Sequence, residues 1–271
     1  MNQLDKDTLL CISLSGRPSN IGTRFHNYLY GELGLNFVYK AFTTNDLQAA
    51  VGGIRALGIR GAGVSMPFKE QIIDYVDVMH ESASVIESVN TVVNEDGVLH
   101  AYNTDYQAIA NLLRDNALPH SLSVAVAGSG GMAKAVVAAV RDYGFTDVTV
   151  IARNEKTGGA VAKQYGFDWQ PELGAARPGL LINATPIGMA GGPEAEDLAF
   201  ELDAIDAADA VFDVVAMPAA TPLIRAAAER HKTVITGAEV IALQAAEQFV
   251  LYTGVRPSPE EIRRASEYSR S

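Results

Sequence analysis

The chain has 271 residues, 48% hydrophobic and 20% charged, which is enough apolar material for a sizeable core and a length that suggests two domains. Its formal net charge of −11 argues against nucleic acid or an anionic membrane surface as a partner. Cys11 is the only cysteine, which rules out an internal disulfide and fits a reducing, cytoplasmic setting.

In chain order, Thr8–Leu14 reads as a buried strand, with Cys11 as a small buried hydrophobe, and Asn20–Leu33 as a helix. Asn36–Phe42 is strand-like, with Phe37, Tyr39 and Ala41 alternating. Thr44-Asn45-Asp46 supplies N-cap chemistry for a helix over Leu47–Leu57. Gly61–Met66 is a third strand, and Phe68–Tyr75 starts a helix behind Pro67. This β-α-β-α-β-α run favours a parallel sheet covered by helices. Thr91–Asn94 and Val98–Tyr102, joined by Glu95-Asp96-Gly97, read as a hairpin, followed by a helix over about Tyr106–Arg114. Asn116-Ala117-Leu118-Pro119 then breaks the pattern like a domain boundary.

A second α/β series follows. It comprises strand Leu122–Ala127, helix Met132–Tyr143, strand Asp147–Ala152, helix Glu155–Tyr165, and strands Leu180–Asn183, Ala210–Val215 and Thr233–Thr236. Two helices, near Glu239–Tyr252 and Pro259–Ser269, end the chain. The N-terminus lacks a basic region leading into a long apolar stretch, so no secretory signal is expected. No apolar run approaches the ~18 residues of a membrane span. The five histidines (His26, His80, His100, His120, His231) show no metal-ligand spacing, and no metal is expected.

The chemistry begins at Val124–Ala133, where a strand, a G-x-G-x-x-A loop and a helix follow one another. Gly128 allows the tight turn, Gly130 lets backbone approach a pyrophosphate, and Ala133 lets helix and strand pack closely. The alternative is an ordinary strand-to-helix turn, but the context is right on both sides. At the end of the next strand, where an acidic residue would grip a ribose hydroxyl, the chain has Ala152-Arg153-Asn154-Glu155-Lys156. The Arg153 fork, with Lys156 beside it, suits a 2′-phosphate, so NADP is the expected cofactor.

Three further segments put polar groups at strand ends or helix starts, where open α/β sheets bind ligands. They are Val64-Ser65-Met66-Pro67-Phe68-Lys69-Glu70, Glu87-Ser88-Val89-Asn90-Thr91 and Tyr102-Asn103-Thr104-Asp105. Taken singly, Lys69 could be a surface residue, Asp105 an N-cap and Asn90 a turn residue. Their order, with the Gly128–Gly131 loop, Ala152-Arg153-Asn154, Asn183–Met189 and Gln244-Ala245-Ala246, resembles the shikimate dehydrogenase family end to end. In that family these stretches read V-T-x-P-x-K-E, A-V-N-T, D-N-T-D, G-x-G-G, N-R-T, N-A-T-P-x-G-M and Q-A-A.

The resemblance implies a two-domain α/β fold: a mainly parallel substrate domain over 1–105, completed by C-terminal helices over 239–271, and a Rossmann-type NADP domain over 106–238. It implies Lys69 and Asp105 as the catalytic pair, with Ser19, Ser65, Asn90 and Gln244 at the substrate. Glu81, Gly128, Ser129, Gly130, Gly131, Met132, Ala152, Arg153, Lys156, Thr185, Val214 and Gly237 would serve the cofactor. Members reversibly oxidise the 3-hydroxyl of shikimate, a step of aromatic amino acid biosynthesis, and the chain would act as monomer or homodimer on a small cyclic hydroxy acid.

The departures all touch the substrate. The family's S-x-S pair falls in Ser15–Thr23, about two residues shorter here, with Ser19 for one hydroxyl, the second missing or displaced to Thr23, and Arg17 as a compensating cation. Its Y-D-x-x-Y reads Phe212-Asp213-Val214-Val215-Ala216, and an asparagine is replaced by Gly63. These features match a divergent, shikimate dehydrogenase-like branch. Alternatives are the same architecture acting on quinate, amino-shikimate or a folate, and a non-catalytic NADP-binding module.

Overall fold

The computed structural model describes residues 4–270. The chain divides into two compact units, one running to Thr104 and resuming at Ala242, the other Asp105–Ile241. Among the described residues no helix is long and apolar enough to cross a membrane, and no group of three or more histidine, cysteine or acidic side chains could hold a metal ion.

The first unit is built on six strands: β1 (Leu9–Leu14), β2 (Phe37–Phe42), β3 (Gly61–Val64), β4 (Val78–Met79), β5 (Thr91–Glu95) and β6 (Val98–Tyr102), in the spatial order β2-β1-β3-β5-β6-β4. The β1–β2, β1–β3 and β4–β6 pairs are parallel, whereas β5 runs antiparallel to both β3 and β6. The hairpin expected over 91–102 is present and reverses the chain within an otherwise parallel sheet. Period-two alternation divides the core between the two faces. Ile12, Leu14 and Val92 pack on one side with Val51, Ile54 and Val64. Cys11 and Val93 pack on the other with Phe25, Leu29, Tyr39, Phe249 and Tyr252.

Helices Ile21–Glu32, Leu47–Ala56 and Pro259–Arg270 and the first-unit part of Gly237–Thr253 complete this unit. Asp46 caps Leu47–Ala56 by accepting the Ala49 N–H at 2.9 Å. The helix expected over Phe68–Tyr75 is regular only through Gln71 and tightens to a 3₁₀ turn over Ile72–Tyr75. Val76 is already extended and β4 begins two residues later, so no further α-turn fits.

The second unit is a parallel sheet: β7 (Val124–Ala127), β8 (Val148–Ile151), β9 (Asp168–Gln170), β10 (Leu180–Asn183), β11 (Ala210–Asp213) and β12 (Thr233–Thr236), ordered β12-β11-β10-β7-β8-β9. The near-continuous apolar runs of β7, β10 and β11, buried at every residue, are what a sheet covered on both faces requires. The break at 116–119 lies inside this unit, not at its border. Helix Thr104–Asp115, nearly all of it in the second unit, is tied there by Tyr106 Oη donating to Asp142 at 2.6 Å, and the turn by Tyr143 Oη donating to the Leu118 carbonyl at 3.0 Å.

Candidate functional site

In the second unit, five of the six strands end immediately before a residue expected to serve the nucleotide or in contact with one. Gly128 follows β7, Ala152 and Arg153 follow β8, Thr185 lies two residues past β10, Val214 follows β11 and Gly237 follows β12. The strands are parallel, so these residues share one edge of the sheet. Strand order reverses between β10 and β7, and ligands of open α/β sheets bind outside the carboxyl ends at such a switch point.

The glycine loop is shaped for close approach. Gly128 has φ +121°, and a Cβ there would lie 2.7 Å from the Ala184 carbonyl oxygen, so only glycine fits. At Gly130 and Gly131 an added Cβ would meet nothing within 4 Å, which leaves backbone open to a ligand. Helix Gly131–Tyr143 begins here without a side-chain cap, so the N–H groups of its first turn are available to an anion. Ser129 hydrogen-bonds Thr157 at 2.8 Å, and Asn154 caps helix Glu155–Tyr165 by accepting the Thr157 N–H. Arg153 and Lys156 are exposed and make no ion pair among the described residues, which leaves two cations for a phosphate. Met132 is half-buried in the first turn of the helix after the loop. Gly237 lies against the backbone of Val214 and Val215: a Cβ there would stand 2.4 Å from the Val214 carbonyl oxygen.

Two further polar residues, Asn183 and Asp213, close apolar strands at this edge. Asn183, fully buried, accepts from Thr185 N–H at 3.0 Å and Thr185 Oγ1 at 2.6 Å and donates to Asp213 at 3.0 Å. Asp213, also fully buried, accepts further bonds from the Val215 N–H and Thr221 Oγ1, and burial raises its carboxyl above the usual range against those bonds. The pair ties together the loops after β10 and β11. The signal in the sequence was a polar residue closing an apolar strand.

In the first unit the expected residues also gather at one sheet edge. Ser65 follows β3, with its N–H on the Leu14 carbonyl at 3.0 Å, and the Gly16 N–H reaches the Met66 carbonyl at 2.9 Å. The loop carrying Arg17 and Ser19 is thereby held beside the Ser65–Pro67 segment, and both side chains are exposed. Lys69 is half-buried in helix Phe68–Gln71, and its carbonyl accepts the Val89 N–H at 2.8 Å, adjoining Asn90. Asn90 is buried, with Oδ1 accepting from Thr91 Oγ1 at 2.7 Å and the Thr104 N–H at 2.8 Å, while Nδ2 donates to Thr104 Oγ1 at 3.0 Å. Thr104 Oγ1 in turn donates to Gln244 Oε1 at 3.3 Å. Lys69 and Gln244 are therefore linked to Asn90 through backbone or side chain, and Ser65 adjoins Val64, whose N–H donates to the Asn90 carbonyl at 2.7 Å. Glu81, exposed, opens the short helix after the edge strand β4, at the same end of the sheet. Asp105, buried at 8% exposure in the first turn of helix Thr104–Asp115, is the first residue of the second unit and not part of this edge.

Comparison with known proteins shows the family. Residues 20–92 match the family model described as the shikimate dehydrogenase substrate binding domain. A shikimate dehydrogenase-like protein of Haemophilus influenzae is 56% identical over 268 residues, covering 99% of each chain. A shikimate dehydrogenase (NADP(+)) of Prosthecochloris aestuarii is 35% identical, covering 93% of this chain and 94% of that one. The crystal structure of a Thermus thermophilus shikimate 5-dehydrogenase in complex with NADP(H) and shikimate superposes with a TM-score of 0.86 at 28% identity, over 96% of this chain and 99% of that one. These likenesses extend over nearly the whole length of the protein and include its two-sheet α/β architecture, and the chain belongs to the shikimate dehydrogenase family.

Proposed function

We propose that this protein is an NADP-dependent oxidoreductase that moves hydride reversibly between NADP and a ring hydroxyl of shikimate or a closely related cyclic hydroxy acid. The observation that carries the proposal is the open glycine loop at the strand-order reversal, with two cations, Arg153 and Lys156, that make no ion pair among the described residues, after the next strand. We assign 1–105, completed by the helices of 239–271, to substrate binding and 106–238 to the cofactor. Relatives named for NADP and shikimate support the pairing of ligands.

The nicotinamide accepts or returns the hydride when NADP is bound. Gly128, Ser129, Gly130, Gly131 and Met132 hold its pyrophosphate, Ala152, Arg153 and Lys156 the adenosine ribose and its 2′-phosphate, and Thr185, Val214, Gly237 and Glu81 the remainder. Lys69 takes the hydroxyl proton as the hydride leaves and returns it in the reverse direction. Asp105 orients the substrate hydroxyl towards the Lys69 amine and stabilises the ammonium that Lys69 becomes on taking the proton. Ser19, Ser65, Asn90 and Gln244 bind the hydroxyl and carboxylate oxygens, with Arg17 compensating for the shortened serine motif.

Steady-state kinetics with shikimate, quinate and amino-shikimate against NADP and NAD, followed by absorbance of the reduced cofactor, tests the assignment. NADP-dependent turnover of at least one acid is expected, and Lys69→Ala should lower kcat by about 10²–10⁴-fold with little change in binding. Saturable NADP binding with no turnover of any of the three acids would instead identify a non-catalytic binding module. Unchanged turnover in Lys69→Ala would remove the proposed proton carrier.

A further inference from the structure

We propose that Gln248 is a positioning residue that sets the direction of the hydrogen bonds beneath the substrate site, so that Asn90 and Gln244 present N–H donors rather than carbonyl oxygens. The inference rests on the assignment of Asn90 and Gln244 to the substrate made above. Gln248 stands outside the family motifs and one helical turn beyond Gln244, and it is buried at 7% exposure.

Gln248 Nε2 lies 3.1 Å from the Asn90 carbonyl oxygen and 2.9 Å from Thr91 Oγ1. A backbone carbonyl only accepts, so the atom facing it must be the amide nitrogen, and this fixes which way the Gln248 amide points. Its second hydrogen goes to Thr91 Oγ1, which leaves the Thr91 hydroxyl to donate to Asn90 Oδ1 at 2.7 Å. The Thr104 N–H, which only donates, also meets Asn90 Oδ1, at 2.8 Å, so two neighbours agree on the orientation of that amide. Asn90 Nδ2 then donates to Thr104 Oγ1 at 3.0 Å. The one Thr104 hydroxyl proton has two acceptors in reach, Asn90 Oδ1 at 3.2 Å and Gln244 Oε1 at 3.3 Å; both lone pairs of Asn90 Oδ1 are already met by the Thr91 hydroxyl and the Thr104 N–H, so the proton goes to Gln244.

The bonds thus run one way, from Gln248 through Thr91, Asn90 and Thr104 to Gln244. The second N–H of Asn90 and the Nε2 group of Gln244 are left for a ligand, which must offer acceptor oxygens. Chains of this kind strengthen one another in a buried setting, and reversal at one end leaves a buried donor facing a donor. Gly63 makes room for the device. A Cβ there would stand 2.8 Å from the Tyr39 hydroxyl and 3.5 Å from both amide atoms of Gln248.

The test uses the full-length protein with Gln248→Leu, which removes both donors at similar size, and Thr91→Val, which cuts the next link and leaves the Gln248 bond to the Asn90 carbonyl. Gln248→Leu should raise the KM for shikimate at least tenfold while the KM for NADP stays within twofold, and Thr91→Val should act in the same direction. In ligand-free protein, the side-chain amide protons of Asn90, slow to exchange in the parent, should become fast in Gln248→Leu by ¹⁵N NMR. An unchanged shikimate KM together with preserved slow exchange would overturn the proposal. So would a loss spread equally over both KM values and the melting temperature, which marks a merely structural contact. Absence of shikimate turnover in the parent protein would instead overturn the substrate assignment, and the amide exchange rates would still decide the role of Gln248.

Discussion

His26 should make the first unit acid-sensitive. It is fully buried in helix Ile21–Glu32, stacked on Tyr39 at 4.4 Å between ring centroids, and neither ring nitrogen has a hydrogen-bond partner of proper geometry. Burial lowers its pKa from 6.5 to about 3, with the nearby Gln248 amide opposing that fall. Between those two values the unfolded chain holds one proton more than the folded chain. Stability therefore rises with pH across this window by about 1.4 kcal/mol per pH unit. The contribution is complete above the unfolded value of 6.5 and is lost as pH falls towards about 3. At about pH 4.5 the loss is roughly 3 kcal/mol, a large part of an ordinary domain's stability. His26→Phe keeps an aromatic ring against Tyr39 and cannot be protonated, and His26→Leu serves if the larger ring does not fit. Urea unfolding at several pH values between about 4.5 and 7.5 measures the difference between parent and variant. Carboxylates titrating elsewhere affect both proteins alike, so the difference isolates His26. The sole tryptophan, Trp169, lies in the second unit, so circular dichroism or hydrogen exchange of the Ile21–Glu32 peptide is the informative signal. Parallel stability curves for parent and variant across this range would refute the reasoning.

Two further outcomes follow from the nucleotide edge. Arg153→Ala should raise the KM for NADP roughly 10- to 100-fold, the size expected for a charge-assisted bond, and leave the KM for NAD nearly unchanged; equal effects on both cofactors would move the 2′-phosphate elsewhere. Gly128→Ala, which forces a Cβ against the Ala184 carbonyl at a φ of +121°, should lose NADP binding measured by calorimetry and lower the melting temperature by several degrees. Preserved affinity would show that the loop can relax without cost.

Local chemistry in the sequence was sufficient for most elements and for the residues that gather at the carboxyl edge of the second sheet. Glu155–Tyr165, Leu180–Asn183 and Thr233–Thr236 have the bounds read from their residues, because their apolar periodicity and caps act within a few residues of chain. The glycine loop, Arg153 and the polar segments at 64–70, 87–91 and 102–105 were equally legible, since each sits where a strand ends. The two-residue strand β4 and the short helices Glu81–Ser84 and Leu202–Ala207 were not, being too short to carry a period. Nor could the sequence show that β5 enters the first sheet antiparallel beside β3, and the residue pattern taken without the family resemblance did not show that the turn at 116–119 belongs inside the second unit. Both depend on which surfaces pack together after the elements have formed. The same holds for Gln248, Asn183 and Asp213, whose roles arise from partners 157, 158 and 30 residues away and become visible only when burial removes water as the alternative partner.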